Sequence, residues 1–252
     1  MQPKILLDTK LDAIELLPLF DLHLGSYECD ESLVDNAINY IRHHNKCFTF
    51  LGGDLIECNV YGKTNNVHTQ KMQLDEQVER IKEKLYPIRN KILFSVTGNH
   101  EHRIEKATGL NLSKIIADSL NVVFCDWESH FMIKFKNNKI CKLYAHHGTG
   151  SSVTSGAKLN SAEKLHFRSP MANIIICGHL HFPINSEKEI RYLDNSGNIK
   201  NFTQHYVVCG SAHGSNGYAS MKAYSPVPRS MTKITIVPHA SDFNVYINKL
   251  KG

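Results

Sequence analysis

The chain reads as an α/β protein, and two features of its 252 residues carry that reading. Apolar strand-like runs alternate with amphipathic helical stretches through the first half, and the second half is dominated by strands. This order predicts a mixed sheet, or two packed sheets, covered by helices. No internal repeat, low-complexity linker or shift in composition marks a boundary, so a single domain over 1–252 is expected.

The elements follow in order. Residues 13–20, AIELLPLF, form a short apolar strand running into Asp21-Leu22-His23. Asp30 or Ser32 caps a helix over 32–44 whose apolar face carries Leu33, Ala37, Ile38 and Ile41. CFTFLG (47–52) is a buried strand that ends in Gly53-Asp54. A long helix is expected at about 68–89, where Leu74, Val78, Ile81, Leu85 and Ile88 recur at steps of four and three and Pro87 falls near the end. The strand Ile92–Val96 leads into Thr97-Gly98 and then a wholly polar run, Asn99 to Arg103, followed by a helix near 110–119. NVVFC (121–125), HFMIKF (130–135) and KICKLYAHHG (139–148) read as strands, the last two joined by a hairpin at KNNK. SAEKLHF resembles a helix start, NIIICGHLH (173–181) contains a buried strand, and 188–209 and 231–248 read as antiparallel strands with a turn at DNSGN.

Composition sets limits. With 42% hydrophobic and 21% charged residues the chain has ample material for a core. Its formal charge of +5 is mild: it permits contact with phosphate-bearing partners, but with no Lys/Arg block it does not argue for extended nucleic-acid binding. Seven scattered cysteines, none spaced CxxC, read as small core residues in a reducing compartment. The N-terminal stretch is broken by charges and no apolar run approaches the ~20 residues of a membrane helix, so no membrane contact and a cytoplasmic location are expected.

Histidine is the informative residue, with 15 copies unevenly placed. DLH (21–23), GGD (52–54), GNHE (98–101), HHG (146–148) and GHLH (178–181) each follow an apolar run directly. Turns favour Gly, Asp and Asn, but that preference does not explain His at four of these five places. Ligands in open α/β sheets bind outside the carboxyl ends of strands, so these residues can meet in one crevice. They offer two carboxylates, an amide oxygen and several imidazoles, a mixed oxygen and nitrogen set suited to Mn²⁺, Fe²⁺, Zn²⁺ or Ni²⁺. The donors outnumber what one ion needs; two ions sharing a carboxylate would use them all.

These five motifs, in this order over residues 21–181, resemble the calcineurin-like metallophosphoesterase superfamily. The resemblance implies a two-sheet β-sandwich flanked by α-helices and two divalent metal ions, Mn²⁺ favoured. It assigns Asp21, His23 and His181 to the first ion, Asp54 as the bridge, and Asn99, His179 and one of His146 and His147 to the second. His147 is preferred because the family's ligand stands directly before the glycine and strand alternation sends its neighbour to the other face; His146 then lies behind the ligands.

The resemblance further implies that His100 faces the phosphate and assists the leaving oxygen, that Glu101 hydrogen-bonds His100, and that a metal-bridging water attacks phosphorus in line. Arg103 is either a phosphate clamp or a surface partner of Glu105 or Glu101. Lys158, in the Gly/Ser stretch 148–160, and His213, in 209–218, are candidates for the substrate rim, with a plain loop and a structural histidine as the simpler readings. Structural or solvated roles are expected for His68, His102, His130, His166, His205 and His239.

The protein Ser/Thr phosphatase pattern GDxxDRG is absent, since the chain reads GGDLIECNVYG. The resemblance extends to metallophosphoesterases of phages and mobile elements. The expected activity is therefore phosphodiester hydrolysis on a nucleotide-type substrate or short nucleic acid. A DNA or RNA nuclease and a non-catalytic scaffold that keeps the fold are the alternatives.

Overall fold

The computed structural model describes residues 3–60, 70–151, 153–214, 226–240 and 242–250. Its eleven named strands form two mixed sheets. One has the order β1-β5-β6-β7-β9-β8 and the other β11-β10-β2-β3-β4. In the first, β1 (Ile5–Asp8) runs parallel to β5 (Glu128–Lys134), which forms an antiparallel hairpin with β6 (Ile140–His146). The parallel neighbours β7 (Ile174–Cys177) and β9 (Ile199–Val208) follow, and β8 (Ile184–Leu193) closes the edge. In the second, β2 (Ile14–Leu16), β3 (Cys47–Leu51) and β4 (Ile92–Ser95) are parallel, and the hairpin β10 (Met231–His239) and β11 (Asp242–Leu250) adds to β2. The architecture is the expected pair of packed mixed sheets flanked by helices.

Alternation along the strands explains the layers. Ile174 and Ile176 of β7 face the second sheet and join Phe20, Phe50, Phe94, Phe131 and Ile234, while Ile175 and Cys177 face outward. Helix α5 (Ser155–Glu163) covers that outer face, where Ala162 packs with Cys177, Leu180 and Val208. On the far side of the second sheet, α1 (Glu31–His43), α2 (Leu74–Leu85) and α4 (Leu112–Ser119) bury one apolar face each. Asp30 caps α1, accepting from the Leu33 N–H at 3.0 Å. All seven cysteines are buried and free.

Several elements differ from expectation. Ile5–Asp8 is an edge strand, although charges interrupt its surroundings; parallel pairing with β5 supplies what local sequence does not. Helix α2 is shorter than the span 68–89: it begins at Leu74, and Pro87, lacking an N–H, sits in a 3₁₀ segment over Tyr86–Lys91. His68 lies outside the described residues. NVVFC is not a strand, because only Phe124 enters the ladder, bridging Ser95 at the end of β4. Helix α5 starts at Ser155, ahead of SAEKLHF, because Thr154 caps it by accepting from the Ala157 N–H. The polar run after β4 is no turn: it opens helix α3 (Asn99–Thr108), which stops at Gly109 in the left-handed region. Among the described residues no helix is long and apolar enough to cross a membrane.

Phe50 is the hub between the sheets, stacked on Phe94 at 4.7 Å between ring centroids and set edge-on to Phe20 and Phe131 at 5.6 Å each. Truncation leaves a cavity among rings that cannot collapse. Phe50→Ala is expected to lower unfolding free energy by ~3–5 kcal/mol, read from urea melts; a loss below ~1 kcal/mol would deny Phe50 this role.

Candidate metal centre

Five strand ends meet at one end of the sandwich. The loops after β2, β3 and β4 come from one sheet and those after β6 and β7 from the other. They bring together all seven residues assigned above to metal. Asp21, His23 and His181 present donor atoms within 4.8 Å of one another, and so do Asp54, His147 and His179.

In the first group His23 Nε2 and His181 Nε2 face each other at 3.1 Å, and Asp21 Oδ1 lies 3.4 Å from His181 Nε2. In the second, His147 Nε2 is 3.0 Å from Asn99 Oδ1 and 3.4 Å from Asp54 Oδ2. The same Asp54 oxygen is 3.9 Å from His23 Nε2, so it stands between the groups.

Each carboxylate divides its work. Asp21 Oδ2 accepts from the His179 N–H at 2.7 Å, and Asp54 Oδ1 accepts from the His100 N–H at 2.8 Å. Their other oxygens face the centre; Asp21 Oδ1 is buried with no hydrogen-bond donor among the described residues. The imidazoles divide likewise. His23 Nδ1 is 2.9 Å from Glu57 Oε2, His147 Nδ1 donates to the Gly52 carbonyl at 2.9 Å, and His179 Nε2 donates to the Gly150 carbonyl at 2.8 Å. These bonds fix each tautomer and turn the opposite lone pair inward. A buried carboxylate oxygen without a hydrogen-bond donor, beside inward-facing imidazole nitrogens, fits a cation.

Backbone geometry shows the same investment. Asp21, His23, Asp54, His179 and His181 all have positive φ, between 48° and 66°. Left-handed backbone costs an L-residue ~1–2 kcal/mol, and such outliers collect where a site demands them. Close approach matters too. A Cβ on Gly98 would lie 2.1 Å from Asp54 Oδ1, so only glycine lets α3 start against that carboxylate.

The electrostatics couple the carboxylates to the imidazoles. Burial pushes the Asp54 carboxyl up, but the His147 and His100 rings reverse this and hold it well below its usual range. Burial depresses His147, and the Asp54 carboxylate more than offsets that, raising it to about 10, so a cation bound there would displace its Nε2 proton. Burial, then the neighbouring imidazoles, keeps His23 well below its usual value, hence neutral as a ligand must be.

The residues expected around the ligands fall differently. Glu101 does not reach His100: its carboxylate accepts from the backbone N–H groups of Asp54, Leu55 and Ile56 at 3.0, 2.7 and 3.2 Å. The reason is helical. As the third residue of α3, Glu101 points back under the Asp54 loop, while His100 points across it. Burial and the Asp54 carboxylate raise Glu101 to about 7.

Glu57 takes the role expected of Glu101. Its carbonyl accepts from His100 Nδ1 at 2.6 Å, and its carboxylate holds His23. It was visible in the sequence as an acid three residues after Asp54, where the phosphatase pattern has its second Asp. Arg103 pairs with neither Glu101 nor Glu105; its Nη2 donates to His100 Nε2 at 2.8 Å. His146 turns away, accepting from the Gly148 N–H at 2.8 Å. Lys158 is not at a rim: its Nζ is buried and donates to the Leu180 carbonyl at 3.2 Å. His213 lies against the first group, its ring 4.6 Å from His23 and its Nε2 3.1 Å from Ser26 Oγ.

No family model matches the sequence, and no curated protein matches it. Among solved structures the chain is similar to Vacuolar Protein Sorting 29 from Cryptosporidium parvum, at 17% identity over 96% of this chain and 100% of that one, TM-score 0.45. It is similar to a predicted phosphoesterase from Streptococcus pneumoniae, at 13% identity over 95% and 91% of the two chains, TM-score 0.40. A third is Vps29 complexed with Zn²⁺ from Entamoeba histolytica, at 12% identity over 94% and 99%, TM-score 0.40. Likeness this distant leaves the chemistry to the side chains.

Adding Mn²⁺ to chelator-treated protein is expected to raise Tm by several degrees, since a ligand at a hundred times its Kd contributes ~2.7 kcal/mol. Asp54→Asn should abolish the rise. An equal rise in that variant would place the ion elsewhere.

Proposed function

We propose that the protein is a calcineurin-like metallophosphoesterase, a dinuclear phosphodiesterase acting on a nucleotide-type substrate from a single domain. The observation that carries this is Asp54 Oδ2, which lies between two His/Asp groups and 3.9 Å from the Nε2 of a further histidine, His100. Asp21, His23 and His181 would hold one cation, and Asn99, His147 and His179 the other, with Asp54 common to both. Bound there, divalent cations, Mn²⁺ favoured, supply neutralising charge for a phosphate and a lowered pKa for water.

The chain's own residues do the rest. With Nδ1 tied to the Glu57 carbonyl, His100 can deliver a proton to a leaving oxygen only from Nε2. Arg103 covers that nitrogen. A phosphate oxygen is the stronger acceptor for a guanidinium, so substrate draws Arg103 onto itself, and the freed Nε2 lone pair takes a proton from solvent that it then passes to the leaving oxygen. Arg103 thereby ties exposure of the acid to arrival of the phosphate. Glu101 holds the Asp54 loop and touches neither proton nor phosphate.

Mn²⁺-loaded protein is expected to hydrolyse bis-p-nitrophenyl phosphate, and His100→Ala to cut kcat by ~10²–10⁴-fold. Full activity in that variant would remove His100 from the mechanism. No hydrolysis with Mn²⁺, Fe²⁺, Zn²⁺ or Ni²⁺ would leave a scaffold. A panel of nucleotides, cyclic dinucleotides, DNA and RNA separates the nuclease alternative, for which multi-phosphate contact predicts a steep salt slope.

A further inference from the structure

Beside the metal centre is a cavity of about 330 Å³ lined by Cys125, Asp126, Trp127, Glu128, His146, Thr149, Leu165 and Arg168. We infer that this cavity is a subsite for the nucleobase of the substrate, with Trp127 as its aromatic wall. The inference rests on the phosphodiesterase reading for its place in catalysis, but binding there can be measured without it.

Position comes first. Lining residue His146 is covalently next to His147, and Thr149 precedes Gly150, whose carbonyl holds His179. The Trp127 carbonyl accepts from the His147 N–H, and its ring meets His102 edge-on at 4.9 Å, in the same helix as His100. The cavity therefore flanks the second His/Asp group, next to His147 along the loop after β6.

Chemistry selects the occupant. Leu165 and the buried Cys125 are apolar, and Trp127, which also lines the cavity, is half-buried. His146 Nδ1 accepts from Gly148, so Nε2 carries the proton and is a donor. Asp126 at the mouth is exposed and is an acceptor. Arg168 already spends Nε and Nη2 on Glu128, at 3.1 and 2.6 Å, and the Tyr144 hydroxyl donates to the same carboxylate.

That Glu128–Arg168 pair is neutral overall, and Asp126 beside it repels anions. A second phosphate is thus disfavoured here. A flat, uncharged ring with both donors and acceptors suits an aromatic wall, a neutral N–H and a carboxylate. Base-on-aromatic stacking contributes ~1–3 kcal/mol, and the volume lies at the small end of ligand pockets.

Trp127 is the chain's single tryptophan, so its fluorescence reports this cavity alone. Metal-free protein in chelator is titrated with adenosine and guanosine, which carry no phosphate, and with ribose 5-phosphate and phenol as controls. A saturable quench by at least one nucleoside is expected, with none from ribose 5-phosphate. Thr149→Arg, at an exposed position, should fill the mouth and weaken the nucleoside by roughly tenfold, about 1.4 kcal/mol, with an unchanged melting temperature. Asp126→Ala, also exposed, should weaken it as well. The same Thr149→Arg change is expected to raise KM for a nucleotide substrate and leave kcat alone.

No saturable quench by either nucleoside, or an equal response to phenol, overturns the subsite. The two readings fail separately. Phosphodiester hydrolysis without nucleoside binding keeps the enzyme and removes the subsite, whereas nucleoside binding without hydrolysis does the reverse.

Discussion

The Asp54 carboxylate is the constraint around which the structure is arranged. It is 1% exposed and lies where three loops from one sheet meet two from the other. One oxygen is fixed by the first turn of α3 through the His100 N–H, and the other faces imidazoles on three sides. A buried carboxylate so placed is tolerable only if cationic charge is near.

Support for that one side chain extends outward in layers. Glu101 accepts from three consecutive N–H groups of the Asp54 loop, which would otherwise be buried donors without partners. Glu57, from the same loop, orients His23 with its side chain and His100 with its carbonyl. Gly98 removes the Cβ that would strike Asp54. Left-handed backbone at five of the candidate ligands is unfavourable locally, and the packed phenylalanines beneath, centred on Phe50, hold the loops there. Core and site are thus one energetic problem, in which apolar burial offsets local strain.

The candidate metal centre and the flanking cavity share elements. The turn after β6 sends His147 inward and His146 to the other side, because successive residues on a strand face opposite ways. One strand end therefore furnishes a donor atom to the centre and a wall to the cavity. Likewise α3 presents His100 to the centre and His102 to Trp127.

Much of this was legible in one dimension. Apolar runs ending in Gly, Asp and His located most strands and the strand ends that converge, because period-two burial and strand-end turns leave direct marks on residue order; which seven of those residues would serve as donors was implied by the family resemblance. Elements stabilised by distant partners left none: Ile5–Asp8 became a strand only through β5, and NVVFC failed as one because β4 ended at Ser95. The partners of Glu101, Glu57 and Arg103 were decided by tertiary structure alone. A carboxylate or guanidinium bonds whichever complementary group lies within about 3 Å, and that distance is set by how loops from two sheets converge, which residue order by itself does not encode.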